Sequence, residues 1–235
     1  MGLVDIWLSS PDQLRDKHVQ QVIAFAGEGK LRDGNATSSE FRALLTHVPS
    51  AILARYAEES LNTRFEGNGF ALQDVVNEVG RRLGFSVKNG RYRGVLGGNG
   101  YDGLWLADEW ALVVEVKSTD AYKIDLDKIA GYRRFLIRSG EIAEDSSSVL
   151  LVVGNEDTGS LEAQIRGSRQ AWDFRLISVS ALIRLMKIKE TIEDPVTANR
   201  IRQVLIPQEF TKVDRIIDLV FATAEDVFEP LGRFC

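Results

Sequence analysis

Three charged residues interrupt the β-type run YDGLWLADEWALVVEVKS. Asp102 lies before the first apolar stretch of this run, and Glu115 and Lys117 lie at the end of the second. The stretches are separated by Asp108-Glu109, a spacing typical of a β-hairpin with a two-residue turn. Because charges embedded in an apolar strand cost free energy on burial, we expect these three side chains to have a function.

The predicted turn determines which residues face one another across the hairpin. It places Ala107 opposite Trp110 and Asp102 opposite Glu115. Directly opposed residues have Cβ atoms about 4.5–5.5 Å apart on one face of a sheet. Lys117 projects from the same face because strand side chains alternate. We therefore predict that two carboxylates and a lysine share one small volume.

Two carboxylates this close repel each other, and one would take up a proton unless a cation lay between them. Mg²⁺, or Mn²⁺ in its place, suits such a site because it binds through one or two carboxylates, several waters and substrate phosphates. The ion lowers the pKa of bound water and neutralises charge on a phosphate, while Lys117 can orient or deprotonate that water. The residues therefore predict metal-assisted phosphodiester hydrolysis.

A simpler interpretation is a salt bridge at the end of a strand, between Lys117 and either Glu115 or Asp102. Acidic residues near a lysine are common, and exposed pairs contribute little to stability. The surrounding run LVVEVK is apolar on both faces, as in a sheet covered on both sides. In that setting a functional role for Glu115 and Lys117 is favoured over a surface ion pair.

Composition narrows the class of protein. The chain has 235 residues, 44% hydrophobic and 27% charged, as expected for one folded domain with or without a helical appendage. Its single cysteine, Cys235, excludes an internal disulfide or a cysteine zinc cluster. No apolar run approaches the roughly 18 residues of a membrane span and no secretory leader pattern is present, so we expect a cytoplasmic protein. The formal charge of −5 argues against bulk attraction to nucleic acid, although local basic clusters occur.

The first 62 residues indicate helices. One helix is predicted across SPDQLRDKHVQQVIAFAG, ending at Gly27, because Leu14 and Val22 belong to one apolar stripe. Two more are predicted in SSEFRALLTHV and PSAILARYAEESL, the second with a proline at its start. A helix-turn-helix within residues 35–61 has little support beyond this pattern.

Helix signals continue in GFALQDVVNEVGRRLGF, where the apolar residues fall on one face and Gly84 supplies a C-terminal stop. Gln73 lies beside that face and could point inward at a site. Beyond the hairpin, DLDKIAGYRRFLIRSG predicts a helix, SSVLLVVG a strand, GSLEAQIRGSRQAW a helix and FRLISV a strand. This alternation implies parallel pairing through right-handed crossovers. We therefore predict an α/β fold with a mixed β-sheet flanked by helices.

These patterns together resemble a known family. YDG followed by EVK, behind a helix ending in LGF and ahead of a strand-helix-strand unit, resembles the PD-(D/E)xK restriction-endonuclease-like superfamily. More narrowly, the order GVLGGNGYDGLW, LVVEVKSTDAY, VLLVVGNEDTGSLEAQIR and RLISVSALIRLM is similar to the cleavage domain of FokI-type (type IIS) restriction endonucleases. Two features depart from the family pattern: Tyr101 stands where a proline usually precedes the first acid, and the acidic spacing is shorter.

The resemblance implies a core of order αβββαβ and the activity of a metal-dependent DNA endonuclease. It implies Asp102 and Glu115 as metal ligands, with the Val116 carbonyl as a further candidate ligand. It implies Lys117 as the catalytic lysine. Gln73 is the best match to the Glu or Gln that members carry on the preceding helix, and is a candidate catalytic residue on that ground.

The resemblance covers about residues 64–220 and implies a domain organisation. An N-terminal helical segment would occupy residues 1–62, and a nuclease domain with C-terminal helices residues 63–235. No zinc finger or other sequence-reading module stands out, so we expect recognition of DNA to come from a homodimer, a partner subunit or the N-terminal helices. By resemblance, dimerisation would use the helix around residues 130–138.

Other functions fit the residues less well. A non-catalytic nuclease-like subunit for DNA binding or assembly stays open, as does a transposase-type or repair nuclease with the same chemistry. Gly98, Gly100 and Gly103 match the spacing G-x-G-x-x-G, but the run opens a β-type stretch instead of a helix, which argues against a dinucleotide site. The two histidines, His18 and His47, lie in the N-terminal region, so histidine-based catalysis is not expected.

Overall fold

The computed structural model of the chain describes residues 2–93, 100–107, 110–118, 124–154, 158–192, 201–206, 213, 214 and 217. Within these ranges the helices are α1 (Leu3–Ser9), α2 (Asp12–Arg15), α3 (Val19–Phe25), α4 (Ala36–Leu45), α5 (Ser50–Asn62), α6 (Asn68–Arg82), α7 (Leu126–Arg138), α8 (Gly159–Arg166) and α9 (Val179–Thr191). The strands are β1 (Ser86–Asn89), β2 (Gly103–Leu106), β3 (Ala111–Lys117), β4 (Ser147–Val153) and β5 (Phe174–Ser178).

The strands form a mixed sheet in the order β1-β2-β3-β4-β5. β1, β2 and β3 pair antiparallel, whereas β3, β4 and β5 pair parallel. The helices α7 and α8 make the two crossovers between the parallel strands. From α6 to β4, the element order is the αβββαβ order that the resemblance implies. The predicted α/β class with a mixed, helix-flanked sheet is therefore confirmed.

Two hydrophobic layers cover the sheet. One contains the N-terminal helices, α6 and α9, and it includes Leu112 and Val114 of β3. The other contains α7 and α8, and it includes Val113. Since side chains alternate along a strand, β3 is apolar on both faces. This central strand ends in Glu115 and Lys117, so the two charges lie where a well-covered strand reaches the edge of the core.

Helix α6 packs against the sheet with the apolar face that its sequence predicts. Leu72 and Val79 on that face are at most 1% exposed. The helix ends at Arg82, and Gly84 follows with a φ of +94°, the left-handed conformation favoured at a helix stop. Gly80 lies against Trp105, where a Cβ atom would come 2.5 Å from the indole ring. Only glycine allows α6 to approach β2 this closely.

The N-terminal segment departs from one prediction. The single helix predicted across SPDQLRDKHVQQVIAFAG is two helices, α2 and α3, because the chain is extended at His18, with φ −65° and ψ 150°. Glu59 of α5 accepts a hydrogen bond from the Val19 N–H at 2.6 Å and contacts His18 Nδ1 at 3.0 Å. A carboxylate from a distant helix therefore caps α3, and local periodicity carries no information about it.

Three further differences concern short or terminal elements. The local patterns did not indicate α1 or β1, and β1 is a four-residue edge strand. Helix α8 ends at Arg166, six residues before the end of the predicted helical stretch at Trp172. The predicted C-terminal helices after α9 lie largely outside the described residues. None of the described helices is long and apolar enough to span a bilayer.

Candidate active site

The hairpin formed by β2 and β3 has the predicted register. Gly103 pairs with Val114, and the Ala107 N–H donates to the Trp110 carbonyl at 2.9 Å. The predicted two-residue turn itself lies outside the described residues. Asp102 comes one residue before the first pair of β2, and its N–H donates to the Val114 carbonyl at 3.0 Å, which holds it at the end of the hairpin beside Glu115.

Glu115 and Lys117 lie on the face of the sheet that α7 and α8 cover, and the Asp102 carboxyl lies close to both, since their charges act on its pKa. Leu104, two residues after Asp102, packs in that layer, as does Val113, two residues before Glu115. Lys117 Nζ lies 2.6 Å from Glu115 Oε1. The Glu115 side chain is 9% exposed and that of Lys117 is 34% exposed. The structure therefore brings the three predicted residues together, with the lysine nearest to solvent.

The Asp102 carboxylate is held by the backbone of the opposite strand. Its Oδ2 accepts a hydrogen bond from the Val116 N–H at 2.7 Å. In an extended strand the N–H and C=O of one residue point to the same neighbouring strand. The Val116 carbonyl is therefore directed toward the Asp102 side of β3, beyond the last β2–β3 pair at Gly103 and Val114.

Glu115 has one oxygen that the described residues leave without a partner. Its Oε2 is buried and makes no hydrogen bond with them. A buried polar atom without a partner is unfavourable, and such atoms are rare in folded proteins. The described residues contain no group of three or more His, Cys, Asp or Glu side chains that could hold a metal. Two carboxylates and a carbonyl are the donor set that fits Mg²⁺, which takes its other ligands from water and substrate.

The electrostatics of the three groups are strongly linked. Burial raises the pKa of Asp102 to about 7, and the nearby Glu115 charge adds to the rise. Burial also raises the pKa of Glu115, against the charge and hydrogen bond of Lys117. Burial alone would lower the pKa of Lys117, but the Glu115 carboxylate outweighs it, so this pKa is raised. In the metal-free protein Lys117 therefore stays protonated near neutral pH. Each of the two acids binds a proton more readily than an isolated carboxylate does.

The backbone carbonyl of Asp102 accepts hydrogen bonds from three donors. Gln73 Nε2 lies 3.0 Å from it and Asn77 Nδ2 2.9 Å, and the Gly90 N–H donates at 2.9 Å. Gln73 and Asn77 share one face of α6 because they are four residues apart. Trp105 Nε1 donates to Asn77 Oδ1 at 2.9 Å and so orients the Asn77 amide. Side chains of α6 therefore position Asp102 by binding its backbone carbonyl.

Gln73 is 3% exposed, and its amide nitrogen is bonded to the Asp102 carbonyl. This contact gives Gln73 a positioning role toward the first acid, and direct contact with metal or substrate stays a prediction. Asn77 was not among the predicted site residues. The signal that could have found it is a second polar residue one turn after Gln73 on the face of α6 that packs on the sheet.

Two glycines allow the chain to approach Asp102 closely. A Cβ atom on Gly103 would lie 2.1 Å from Asn77 Oδ1, and one on Gly90 would lie 1.9 Å from the Tyr101 carbonyl oxygen. Both distances are far below van der Waals contact, so a side chain at Gly90 requires a backbone shift and one at Gly103 displaces the Asn77 side chain. The requirement for glycine at these positions comes from tertiary contacts, which the sequence alone did not reveal.

Helix α7 contributes two polar side chains to the same region. Lys128 and Tyr132 are one turn apart on this helix. The charge of Lys128 acts on Glu115 and opposes the rise of its pKa. The Tyr132 hydroxyl lies 2.8 Å from the position that a Cβ on Gly100 would take, two residues before Asp102. Neither residue was predicted, since nothing in the local pattern of α7 distinguishes them from solvated positions.

The other candidate residues have roles outside this site. His18 contacts Glu59, and His47 Nδ1 lies 2.9 Å from the Ala43 carbonyl, both among the N-terminal helices.

The G-x-G-x-x-G run does not begin a helix, since Gly103 is the first residue of β2. Gly98 lies outside the described residues. The described part of this run therefore lacks the strand-to-helix turn that a dinucleotide site requires.

No protein-family model matches the chain, and no curated protein matches it. Among solved structures, it is similar to restriction endonuclease PspGI in complex with substrate DNA. The two share 15% sequence identity and a TM-score of 0.35 over 93% of this chain and 90% of that chain. A likeness at this TM-score assigns no function, so any functional conclusion depends on the geometry of the site.

Proposed function

We propose that this protein is a metal-dependent DNA endonuclease that hydrolyses phosphodiester bonds. The observation that carries the proposal is the proximity of Asp102, Glu115 and Lys117, with Glu115 Oε2 buried and without a partner among the described residues. Burial of two neighbouring carboxylates is unfavourable, and a purely structural protein has no use for it. DNA as the substrate rests on the resemblance to the PD-(D/E)xK superfamily.

The carboxylates of Asp102 and Glu115, together with the Val116 carbonyl, would hold Mg²⁺ or Mn²⁺. Bound there, such an ion would lower the pKa of a coordinated water and neutralise charge on the scissile phosphate. Hard oxygen donors of this kind suit Mg²⁺ and Mn²⁺ and are poor ligands for soft metals.

Lys117 acts in this proposal as a hydrogen-bond donor. Its pKa is raised by Glu115, so the ammonium group persists at neutral pH and cannot readily accept a proton. A protonated amine at the exposed edge of the site can bind a phosphate oxygen and orient the attacking water.

In this proposal Gln73 and Asn77 keep Asp102 in place when its carboxylate binds or releases the metal ion. Their amides hold its carbonyl from α6, and the Val116 N–H holds Oδ2. Catalytic geometry of this kind needs side chains fixed by surrounding hydrogen bonds. We propose Gln73 as a positioning residue whose loss displaces Asp102.

The narrower resemblance leads to a narrower proposal, a type IIS-like cleavage domain or subunit. Such a chain would cut DNA at a distance from the recognised sequence. A second copy of the chain or a partner subunit would cut the other strand, or would recognise the sequence. α7, which carries the half-exposed Phe135, is the proposed dimer helix. Sedimentation that finds a monomer both free and on DNA with metal present would argue against the dimer.

The proposed activity can be tested by cleavage of supercoiled plasmid. We expect the purified chain to nick or linearise the plasmid with Mg²⁺ or Mn²⁺, and not with EDTA. Lys117→Ala should abolish cutting, whereas Lys187→Ala, at an exposed position on α9, should not. Equal cutting by the unmodified chain and by Lys117→Ala would overturn the proposal, because a contaminating nuclease would then account for the activity.

A further inference from the structure

A cleft of about 660 Å³ opens beside the first turn of α6. Its walls are residues 30–33, the segment 66–70 at the start of α6, and residues 92–93. None of these residues belongs to the proposed catalytic group. The size is that of a binding cleft for a small ligand or for one segment of a larger one.

Hydrogen bonds and ring contacts hold one wall of this cleft in place. The Tyr92 hydroxyl bonds to the buried Asp74, and the Tyr92 N–H donates to Asp33 Oδ1 at 2.8 Å. The Phe70 ring stacks on the Tyr92 ring with centroids 4.7 Å apart, and the Arg42 guanidinium lies 4.8 Å from the Tyr92 ring centroid. The cleft is therefore preformed, which lowers the entropic cost of binding.

Three cations lie near the Glu66 carboxylate at the mouth of the cleft, whereas the second carboxylate of the cleft, Asp33, accepts hydrogen bonds from two backbone N–H groups. Lys30 Nζ lies 2.8 Å from Glu66 Oε2, and the Glu66 side chain is 78% exposed. Lys30, through its hydrogen bond and charge, lowers the pKa of Glu66, and the charges of Arg32 and Arg93 act in the same direction. Three cations are thus within reach of one anionic position, which the Glu66 carboxylate now occupies.

Two of these cations are available to a ligand. The side chains of Arg32 and Arg93 are exposed, and they form no hydrogen bond or close ion pair with the residues that the structure describes. An exposed ion pair such as Lys30–Glu66 contributes little to stability, so a stronger anion can displace the carboxylate. Arginine also suits phosphate because its planar donors contact two oxygens at once.

The cleft lies next to the proposed active site. A Cβ atom on Gly69, in the cleft wall, would be 3.7 Å from Ser118 Oγ, and Ser118 directly follows Lys117. Gly69, Gln73 and Asn77 are spaced by four residues on one face of α6, so each is about 6 Å from the next along the axis. The second and third of these hold Asp102, and the face of α6 therefore leads from the cleft to the acid.

We propose that this cleft binds one backbone phosphate of the DNA, close to the scissile phosphate, through Arg32, Arg93 and Lys30. The Glu66 carboxylate occupies this position until DNA displaces it. The inference rests on the proposed function and names a substrate contact that the catalytic residues do not provide. A phosphate contact of this kind fixes the register of DNA on the protein without reading its sequence.

The test measures DNA affinity as a function of salt by fluorescence anisotropy. The probe is a labelled mixed-sequence duplex with Mg²⁺, and every chain carries Lys117→Ala so that the DNA stays intact. Arg32→Gln/Arg93→Gln should weaken binding at least about tenfold and reduce the slope of log K against log salt by about 0.9, the contribution of one phosphate contact. Glu66→Gln should tighten binding by about threefold, because it removes the competing carboxylate.

Arg15→Gln/Lys187→Gln provides the matched control, since it removes the same charge from α2 and α9, away from the cleft. If the cleft pair and the control pair change affinity and slope equally, the cleft is not a phosphate site, and the proposed nuclease function is untouched. If Glu66→Gln weakens binding, Glu66 is a DNA contact and the displacement idea is wrong. If the Lys117→Ala chain binds no DNA at any salt concentration, the inference and the proposed function both fail.

Discussion

Two acidic sites of the chain, both largely removed from solvent, differ in how their charges are compensated. One is Asp74 of α6, which is 1% exposed. The other is the pair of Asp102 and Glu115. Both groups have lost most of their hydration, so the ionised form is disfavoured in both. The two differ in how many of their carboxylate oxygens have a partner within the chain.

Both carboxylate oxygens of Asp74 have hydrogen-bond partners within the chain. Its Oδ1 accepts a hydrogen bond from Arg42 Nε at 2.8 Å, and its Oδ2 accepts one from the Tyr92 hydroxyl. Burial raises the pKa of Asp74 to about 6, and the Arg42 charge with the Tyr92 hydrogen bond limits the rise. Each oxygen has a partner, and α4, α6 and the segment after β1 are joined through it.

The charges of Asp102 and Glu115 are compensated only in part. Burial and the Glu115 charge together take the pKa of Asp102 to about 7. Lys117 neutralises one oxygen of Glu115, and Oε2 has no partner among the described residues. The contrast teaches that folding alone compensates the Asp74 charge, whereas it leaves one oxygen of Glu115 uncompensated, which is the oxygen that the proposed divalent cation would bind.

The largest expected effect is on cleavage. Glu115→Gln keeps the shape of the side chain but removes the charge that would bind the ion, so we expect a fall in plasmid cleavage of about 10³-fold or more. Far-UV circular dichroism should show an unchanged fold. Retention of activity within tenfold of the unmodified chain would show that Glu115 is not a metal ligand.

The next effect is on stability and separates the two groups. Asp74→Ala leaves Arg42 and the Tyr92 hydroxyl without their buried partner, so we expect the free energy of unfolding to fall by about 3 kcal/mol. Urea unfolding followed by circular dichroism measures it. A change below about 1 kcal/mol would mean that this ion pair does not stabilise the fold as the comparison requires.

A smaller effect links the metal to stability. An ion that binds only the folded state stabilises it by about 2.7 kcal/mol at a concentration 100 times its dissociation constant. We expect Mg²⁺ to raise the melting temperature of the unmodified chain and of the control variant Lys187→Ala, and to leave that of Glu115→Gln unchanged. An equal shift in all three chains would point to nonspecific ion effects.

The smallest effect concerns pH in the metal-free protein. Because burial and Glu115 raise the folded-state pKa of Asp102 to about 7, its ionisation disfavours the folded state, and stability is lost as pH rises from about 4 through 7. Asp102→Asn keeps an acceptor for the Val116 N–H and removes this charge. We expect it to be more stable than the unmodified chain by about 1 kcal/mol at pH 8 in EDTA, and by less at pH 5. Urea unfolding at both values checks the difference, and a destabilised variant at pH 8 would contradict it.

The part of the site that lies within the hairpin could be predicted from sequence. A two-residue separation permits one register, and the alternation of strand side chains then sets Asp102, Glu115 and Lys117 on one face. The apolar runs of β4 and β5 with intervening helices likewise leave few topologies open. These features depend on residues close together in the chain, where local rules apply.

The rest depends on contacts between distant segments. Gln73 could be placed beside the apolar face of α6, but its partner is a carbonyl 29 residues away. Asn77, on the same helix, and Gly90, directly after β1, donate to the same carbonyl. The break between α2 and α3 has the same origin, since Glu59 of α5 caps α3. Such contacts follow from the assembled fold, and periodicity or spacing cannot indicate them.

The most direct test of the central claim is the binding of Mn²⁺, followed by the loss of its free-ion electron paramagnetic resonance signal at pH 8. The unmodified chain should bind Mn²⁺ at a site that Mg²⁺ displaces, and Glu115→Gln should lose that site while Asp74→Asn keeps it. Equal Mn²⁺ binding by the unmodified chain and Glu115→Gln would contradict the claim that Asp102 and Glu115 together hold a divalent cation.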